Sequence, residues 1–163
     1  MQPTDLTVSA VIERDGQYLM VEEVVSGAVV LNQPGGHIEA GESPEQAVVR
    51  EVLEEAGCDV ECGEMIGVYL WIHPQTRQQF LRIAYVATLL HEDESRPLDD
   101  GIIARRWLSR ADIEYWRRGL RSPMVQRCIQ DFEAGRRQSD TLFSGMLPLQ
   151  QNVHAVLANA DLV

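Results

Sequence analysis

The sequence predicts an α+β fold in one domain. Three observations carry this expectation. The chain has 163 residues, which suits one domain with one sizeable core. Segments rich in β-branched and apolar residues recur before residue 26 and again after residue 63. Between them lies a stretch of helical periodicity with start and stop signals at its borders.

Leu6 to Glu13 reads as a strand, Asp15-Gly16 as a two-residue hairpin turn, and Tyr18 to Val25 as the return strand. Leu31 to Glu42 reads as a loop centred on Pro34-Gly35-Gly36. The helix that follows is bounded by local chemistry. Ser43 is a favourable N-cap, Pro44 suits the first helical position, Gln46 completes a capping box, and Gly57 suits the C-cap. This predicts a helix over Pro44 to Ala56. Glu64 to Ile72 and Gln79 to Leu90 read as a strand hairpin, His91 to Asp100 as an exposed acidic loop, and Ile102 to Leu108 as a further strand. Ala111 to Trp116 reads as a short helix capped by Ser109, and Ser122 to Arg137 as a longer one with Pro123 near its start and Gly135 near its end. Residues 138–163 are weakly patterned and receive no element. No repeat, low-complexity tract or linker divides the chain, so 1–163 reads as one domain with its core at about 5–137.

Composition narrows the function. Hydrophobic residues are 45% and charged residues 24%, which is ordinary for a globular protein and argues against disorder. There are 25 acids against 14 bases, a net charge of −11. Such a surface repels a nucleic-acid backbone, so a nucleic acid polymer is not the expected partner. A small phosphorylated substrate is still compatible if metal ions stand between the two negative partners. Cys58, Cys62 and Cys128 form no disulfide framework, and one cysteine pair without a second argues against structural zinc. Met1 to Ala10 lacks the form of a signal peptide, and no apolar run reaches the roughly 18 residues of a membrane helix. The expectation is a cytoplasmic protein with reduced thiols, no membrane partner, and a monomeric or homodimeric state.

Residues 36–58 read GHIEAGESPEQAVVREVLEEAGC. At roughly 100° per helical residue, Val48, Val49, Val52, Leu53 and Ala56 fall in one arc of about 140°. Glu51, Glu54 and Glu55 fall in a separate arc about 100° wide, beside the small Ala47. Like charges at i,i+3 and i,i+4 destabilise a bare helix by a few tenths of a kcal/mol per pair. Two readings remain open on spacing alone. The three acids form a solvated face, or they form a cluster of hard oxygen ligands for Mg²⁺ or Mn²⁺.

The flanking residues resemble the Nudix box. Gly36, Glu42, Arg50, Glu51, Val52, Glu54, Glu55 and Gly57 occupy its fixed or class-restricted positions at the right spacing, and Cys58 is a looser match at the last one. The resemblance implies a Nudix fold, a mixed β-sheet flanked by helices (an α/β/α sandwich) with the box as a loop–helix–loop. It implies a Mg²⁺-dependent hydrolase, with Mn²⁺ as substitute, that cleaves phosphoanhydride bonds. Glu54 and Glu55 are then the main metal ligands, Glu51 a further ligand or the base that activates water, and the Gly36 carbonyl an added ligand. Arg50 orients a box glutamate, with Glu42 as its partner. His37, in the box loop, faces the substrate or serves the loop itself. A late-loop acid, Asp99 or Asp100, is a candidate further ligand.

The segments TVSAVIERDGQYLMVEE, NQPGGHIEAGE, WIHP, FLRIAYVA, RRWLS and LRSPMVQRCIQDFEAGRR are similar to the phosphatase NudJ branch of that family. This implies phosphate release from nucleoside tri- and diphosphates and from the pyrimidine pyrophosphate precursor of thiamin. Many relatives instead release nucleoside monophosphate and pyrophosphate. Arg82 is then a candidate phosphate contact, and Arg121 with Ser122, at the start of the last helix, a candidate anion site. Trp71 and Tyr85 either stack on a substrate ring or belong to the core. The alternatives are a Nudix-fold nucleotide sensor without catalysis, for which an eroded box is expected, and an isomerase on the same scaffold.

Overall fold

The alternation of apolar residues near the N-terminus sends neighbouring side chains to opposite faces. In the computed structural model, which describes residues 3–138, both faces are covered. The elements in chain order are β1 (Asp5–Val11), β2 (Glu13–Arg14), β3 (Gln17–Val25), β4 (Ala28–Asn32), α1 (Pro44–Ala56), β5 (Cys58–Ile72), β6 (Gln79–Glu92), β7 (Ile102–Ser109), α2 (Arg110–Glu114) and α3 (Met124–Glu133). Residues 139–163, within the stretch to which the sequence assigns no element, lie outside the described residues.

One sheet has the order β1-β6-β5, with β1 parallel to β6 and β5 antiparallel to it. In the other, β3 pairs antiparallel with β2, β4 and β7. The first sheet is therefore mixed, as expected, while the strands of the second pair antiparallel throughout. Val8, Ala10, Leu19 and Val21 pack with Ala47, Val48, Val52 and Ala56 of α1. Val11, Tyr18 and Met20 face the other way, toward Ile113 of α2 and Val125, Cys128 and Ile129 of α3. Sheets between helices give the predicted α/β/α layering.

The chain reaches α1 through short turns that force left-handed backbone. Asp15 and Gly16 have φ of 54° and 78°, the geometry of the predicted hairpin turn. Ser26 and Gly27 repeat it, at 51° and 82°, and start β4, a strand that the sequence assigned partly to loop. The helix itself matches its signals. Ser43 and Gln46 form the reciprocal capping box, and Gly57 closes the C-terminus in a left-handed conformation with its N–H donating to the Leu53 carbonyl.

Several boundaries differ, each with a cause. The first predicted strand breaks at Ile12, where the chain passes from one sheet to the other. β5 begins at Cys58 rather than Glu64, because register shifts near Cys62, Met65 and Gly67 let a glycine-containing segment stay paired. α3 begins at Met124, so Arg121 and Ser122 precede it.

The faces of α1 are also rotated from the predicted arcs. Ala47 is fully buried while Val49 is 38% exposed. Glu51, at 8%, shares the covered side. The cause is the loop before the helix. A Cβ at Gly36 would lie 2.5 Å from Glu51 Oε1, and the Gly35 N–H donates to Glu55 Oε2 at 2.9 Å. The loop roofs Glu51 and Glu55, so the covered face includes them, while Glu54 stays exposed.

The rotation has a measurable consequence. Val52→Asp buries an unpaired charge and should abolish the thermal transition seen by circular dichroism, since such burial costs several kcal/mol. Val49→Asp should change stability by no more than about 0.5 kcal/mol. Equal damage from both would restore the original arc.

Candidate active site

The roofed acids open into a cleft of about 450 Å³. Its walls come from β1, β3, β4, the loop before α1, α1, β6, the loop before β7 and the start of α3 with the segment before it. Six acids line it, Glu23, Glu39, Glu51, Glu54, Glu55 and Asp99, against three arginines, Arg50, Arg82 and Arg121.

Arg50 is the most connected of these side chains. Its Nε and Nη2 donate to the two oxygens of Glu42 at 3.1 and 2.6 Å, a bidentate fork. Nη1 donates to Glu51 Oε1 at 2.8 Å and to Glu54 Oε2 at 3.2 Å. Nη2 also donates to the His37 carbonyl at 2.9 Å. One guanidinium thus ties the loop to two of the three helix acids. Its hydrogen bonds hold the Glu42 carboxyl below the usual carboxylate range.

Glu55 is the acid that Arg50 does not reach. Burial pushes its carboxyl up to about 8, opposed by the Gly35 N–H, with the charges of Glu51, Glu23 and Asp99 adding to the rise. Burial also raises Glu51, opposed by its bonds to Arg50. Among the described residues, no three acid, thiol or imidazole groups gather at metal-ligand spacing. Arg50 draws Glu51 and Glu54 one way while Gly35 holds Glu55 another. The Gly36 carbonyl accepts from the Val8 N–H at 2.8 Å, which leaves it one lone pair.

The other predicted residues divide. Asp99 lines the cleft, and its N–H donates to the Glu54 carbonyl at 3.0 Å. Asp100, though adjacent, is not among the lining residues. His37 lines the cleft with its ring largely exposed, 3.5 Å from Asp5. Arg82 is 7% exposed, donates to Asn32 Oδ1 at 3.4 Å, and keeps a buried Nε without a partner. Burial lowers its pKa, but a guanidinium stays charged in proteins. Arg121 and Ser122 also line the cleft, and Ser122 Oγ is buried and unpartnered.

One aromatic expectation needs correction, and the other takes the second of its two readings. Trp71 lies outside the cleft and stacks on Phe80 at 5.7 Å instead, because register pairs the two residues across β5 and β6. Tyr85 is core, 2% exposed, with its hydroxyl donating to Glu45 at 3.3 Å. Sequence reasoning missed Glu23, Asn32 and Phe80, which all line the cleft. Glu23 had a signal, since it continues the inward parity of Leu19 and Val21.

Comparison with known proteins agrees with the fold. The NUDIX domain family model matches residues 3–128. The chain is 35% identical over 132 residues to the phosphatase NudJ of Escherichia coli, covering 81% of this chain and 85% of that protein. Its fold is similar to that of a NUDIX hydrolase from Nitrosomonas europaea, with a TM-score of 0.82, 40% identity, and coverage of 86% of this chain and 95% of that one. A MutT NUDIX hydrolase from Burkholderia pseudomallei, with a TM-score of 0.68 and 23% identity over 80% of this chain and 98% of that one, shares the fold.

The fork predicts a stability hierarchy. Arg50→Ala leaves Glu42 and Glu51 uncompensated and should lower the unfolding free energy in urea by about 2–3 kcal/mol. Arg50→Lys keeps the charge but not the fork, so it should recover part of that loss and not all. An Arg50→Ala protein as stable as the parent would remove the fork as the organising contact.

Proposed function

The chain belongs to the Nudix family of hydrolases, and on that premise we propose that its cleft releases orthophosphate from the end of a nucleoside di- or triphosphate, or from the pyrimidine pyrophosphate precursor of thiamin. The observation that carries this is a buried arginine, Arg82, in the same cleft as the α1 carboxylates. The name of the relative, a phosphatase, supports the same bond.

The donor set fits a hard divalent cation. The cleft holds three more acids than arginines, its ligands are oxygens, and Glu55 binds its proton tightly in the absence of a compensating charge. Glu54 and Glu55 would be the main ligands of Mg²⁺ or Mn²⁺, with Glu51 and the Gly36 carbonyl beside them and Asp99 near by. Such a cation, when bound, neutralises phosphate charge and acts as a Lewis acid toward a phosphoryl oxygen. Arg50 fixes the direction in which Glu51 points, so Glu51 can serve as ligand or as acceptor for the proton of the attacking water. Arg82 and Arg121 bind the terminal phosphate, with Ser122 and His37 at the margins. Positioning and charge stabilisation then suffice for attack at the terminal phosphorus. The bond to the bridging oxygen breaks, and orthophosphate leaves with a shortened nucleotide. The three unpaired cysteines, two of them buried, support a reducing cytoplasmic setting. Among the described residues no helix is long and apolar enough to cross a membrane.

Phosphorus NMR with a nucleoside triphosphate and Mg²⁺ tests the assignment. Orthophosphate and diphosphate should accumulate, and a chelator should stop the reaction. Pyrophosphate with no orthophosphate would reject terminal attack. Arg82→Ala should cut kcat/KM by about a hundredfold, the usual loss for a donor that stabilises transition-state charge. A value near that of the parent would remove Arg82 from the reaction.

A further inference from the structure

Glu23 is an acid in a cleft that must accept a polyanion, yet it lies on β3 and not among the α1 acids. Its Oε1 accepts from Asn32 Nδ2 at 3.1 Å and lies 3.4 Å from Arg121 Nε. The same Asn32 accepts from Arg82 through its Oδ1. One amide therefore links Glu23 to Arg82, while Glu23 meets Arg121 directly. The Arg121 guanidinium also lies over the Phe80 ring at 5.6 Å, and Phe80 stacks on Trp71. Among the described residues Glu23 Oε2 has no hydrogen-bond donor.

We propose that Glu23 determines specificity for phosphate-chain length, by holding both arginines in place while offsetting half of their charge. The proposal rests on the reading that Arg82 and Arg121 bind the terminal phosphate. Two guanidinium groups present two positive charges, and Glu23 reduces that to one. Each further phosphate group brings at least one more negative charge into the cleft. The repulsion from Glu23 therefore grows with chain length and takes back part of the preference that two arginines alone would give a triphosphate over a diphosphate. Glutamine at this position keeps an oxygen that accepts from Asn32 and Arg121, so Glu23→Gln removes the charge and leaves the scaffold.

The test is equilibrium binding of non-hydrolysable methylene analogues of a nucleoside diphosphate and triphosphate at fixed Mg²⁺. Glu23→Gln should shift the ratio of the two Kd values toward the triphosphate by about fivefold, as expected for one charge acting across a partly solvated cleft. Arg121→Gln should shift the ratio the other way, and Glu23→Ala should shift it as Glu23→Gln does, which keeps the test decisive if Glu23→Gln fails to fold. Glu23→Ala, which also removes the acceptor, should weaken both analogues. An unchanged ratio in a folded Glu23→Gln protein overturns the proposal, as does a parent protein that binds neither analogue. Binding with the expected ratio shift, but without orthophosphate release from true substrates, would instead fault the proposed reaction.

Discussion

Arg50 lies where the loop before α1 meets the helix, and the arrangement of the cleft depends on its charge. Three acids within five residues of a helix repel one another, and roofing Glu51 and Glu55 with a loop makes the repulsion worse by excluding water. The guanidinium resolves part of that conflict by bonding Glu42, Glu51 and Glu54 together with the His37 carbonyl. Five donors in a rigid plane can hold a bidentate fork and further acceptors at once, a geometry that the three donors on one ammonium nitrogen do not offer. The loop is thus fastened to α1 by the residue that also sets the direction of two carboxylates.

The roof needs glycine for a second reason. A Cβ on Gly35 would meet the Val8 carbonyl at 2.2 Å, and one on Gly36 would meet Glu51. The loop is pressed between β1 and α1, with Val8 and Ala10 donating to the carbonyls of Gly36 and Pro34. Packing and chemistry are joined here. β1 is held in its sheet by β6, supports the loop, and so fixes the height of the loop above Glu51 and Glu55. Glu55 is left with a carboxyl that burial makes easy to protonate, the group most in need of a cation under the proposed function.

Much of this was legible in the sequence because it depends on neighbours in the chain. The limits of α1 follow from Ser43, Gln46 and Gly57, and the clustering of Glu51, Glu54 and Glu55 follows from helical spacing. The side of α1 that is buried was not legible, because an arc drawn on a bare helix ignores the loop that covers it. Val49 was therefore placed in the core and Ala47 outside it, the reverse of what is found. Phe80 and Asn32 were missed because strand pairing alone brings them to Arg121 and Arg82. Trp71 was misplaced for the same reason, since its partner across the hairpin decides which surface it meets. The start of β5 was hidden by Gly63, which reads as a break until the register shifts are seen.

Whether the helix acids act together as a cation site is answered most directly by titrating Mn²⁺ into the protein and following free ion by EPR. The parent should bind Mn²⁺. Glu54→Gln and Glu55→Gln should each lose most of that binding with their circular dichroism unchanged, while Glu64→Gln, on the exposed surface of β5, should bind as the parent does. Full Mn²⁺ binding by a folded Glu55→Gln protein would contradict the account.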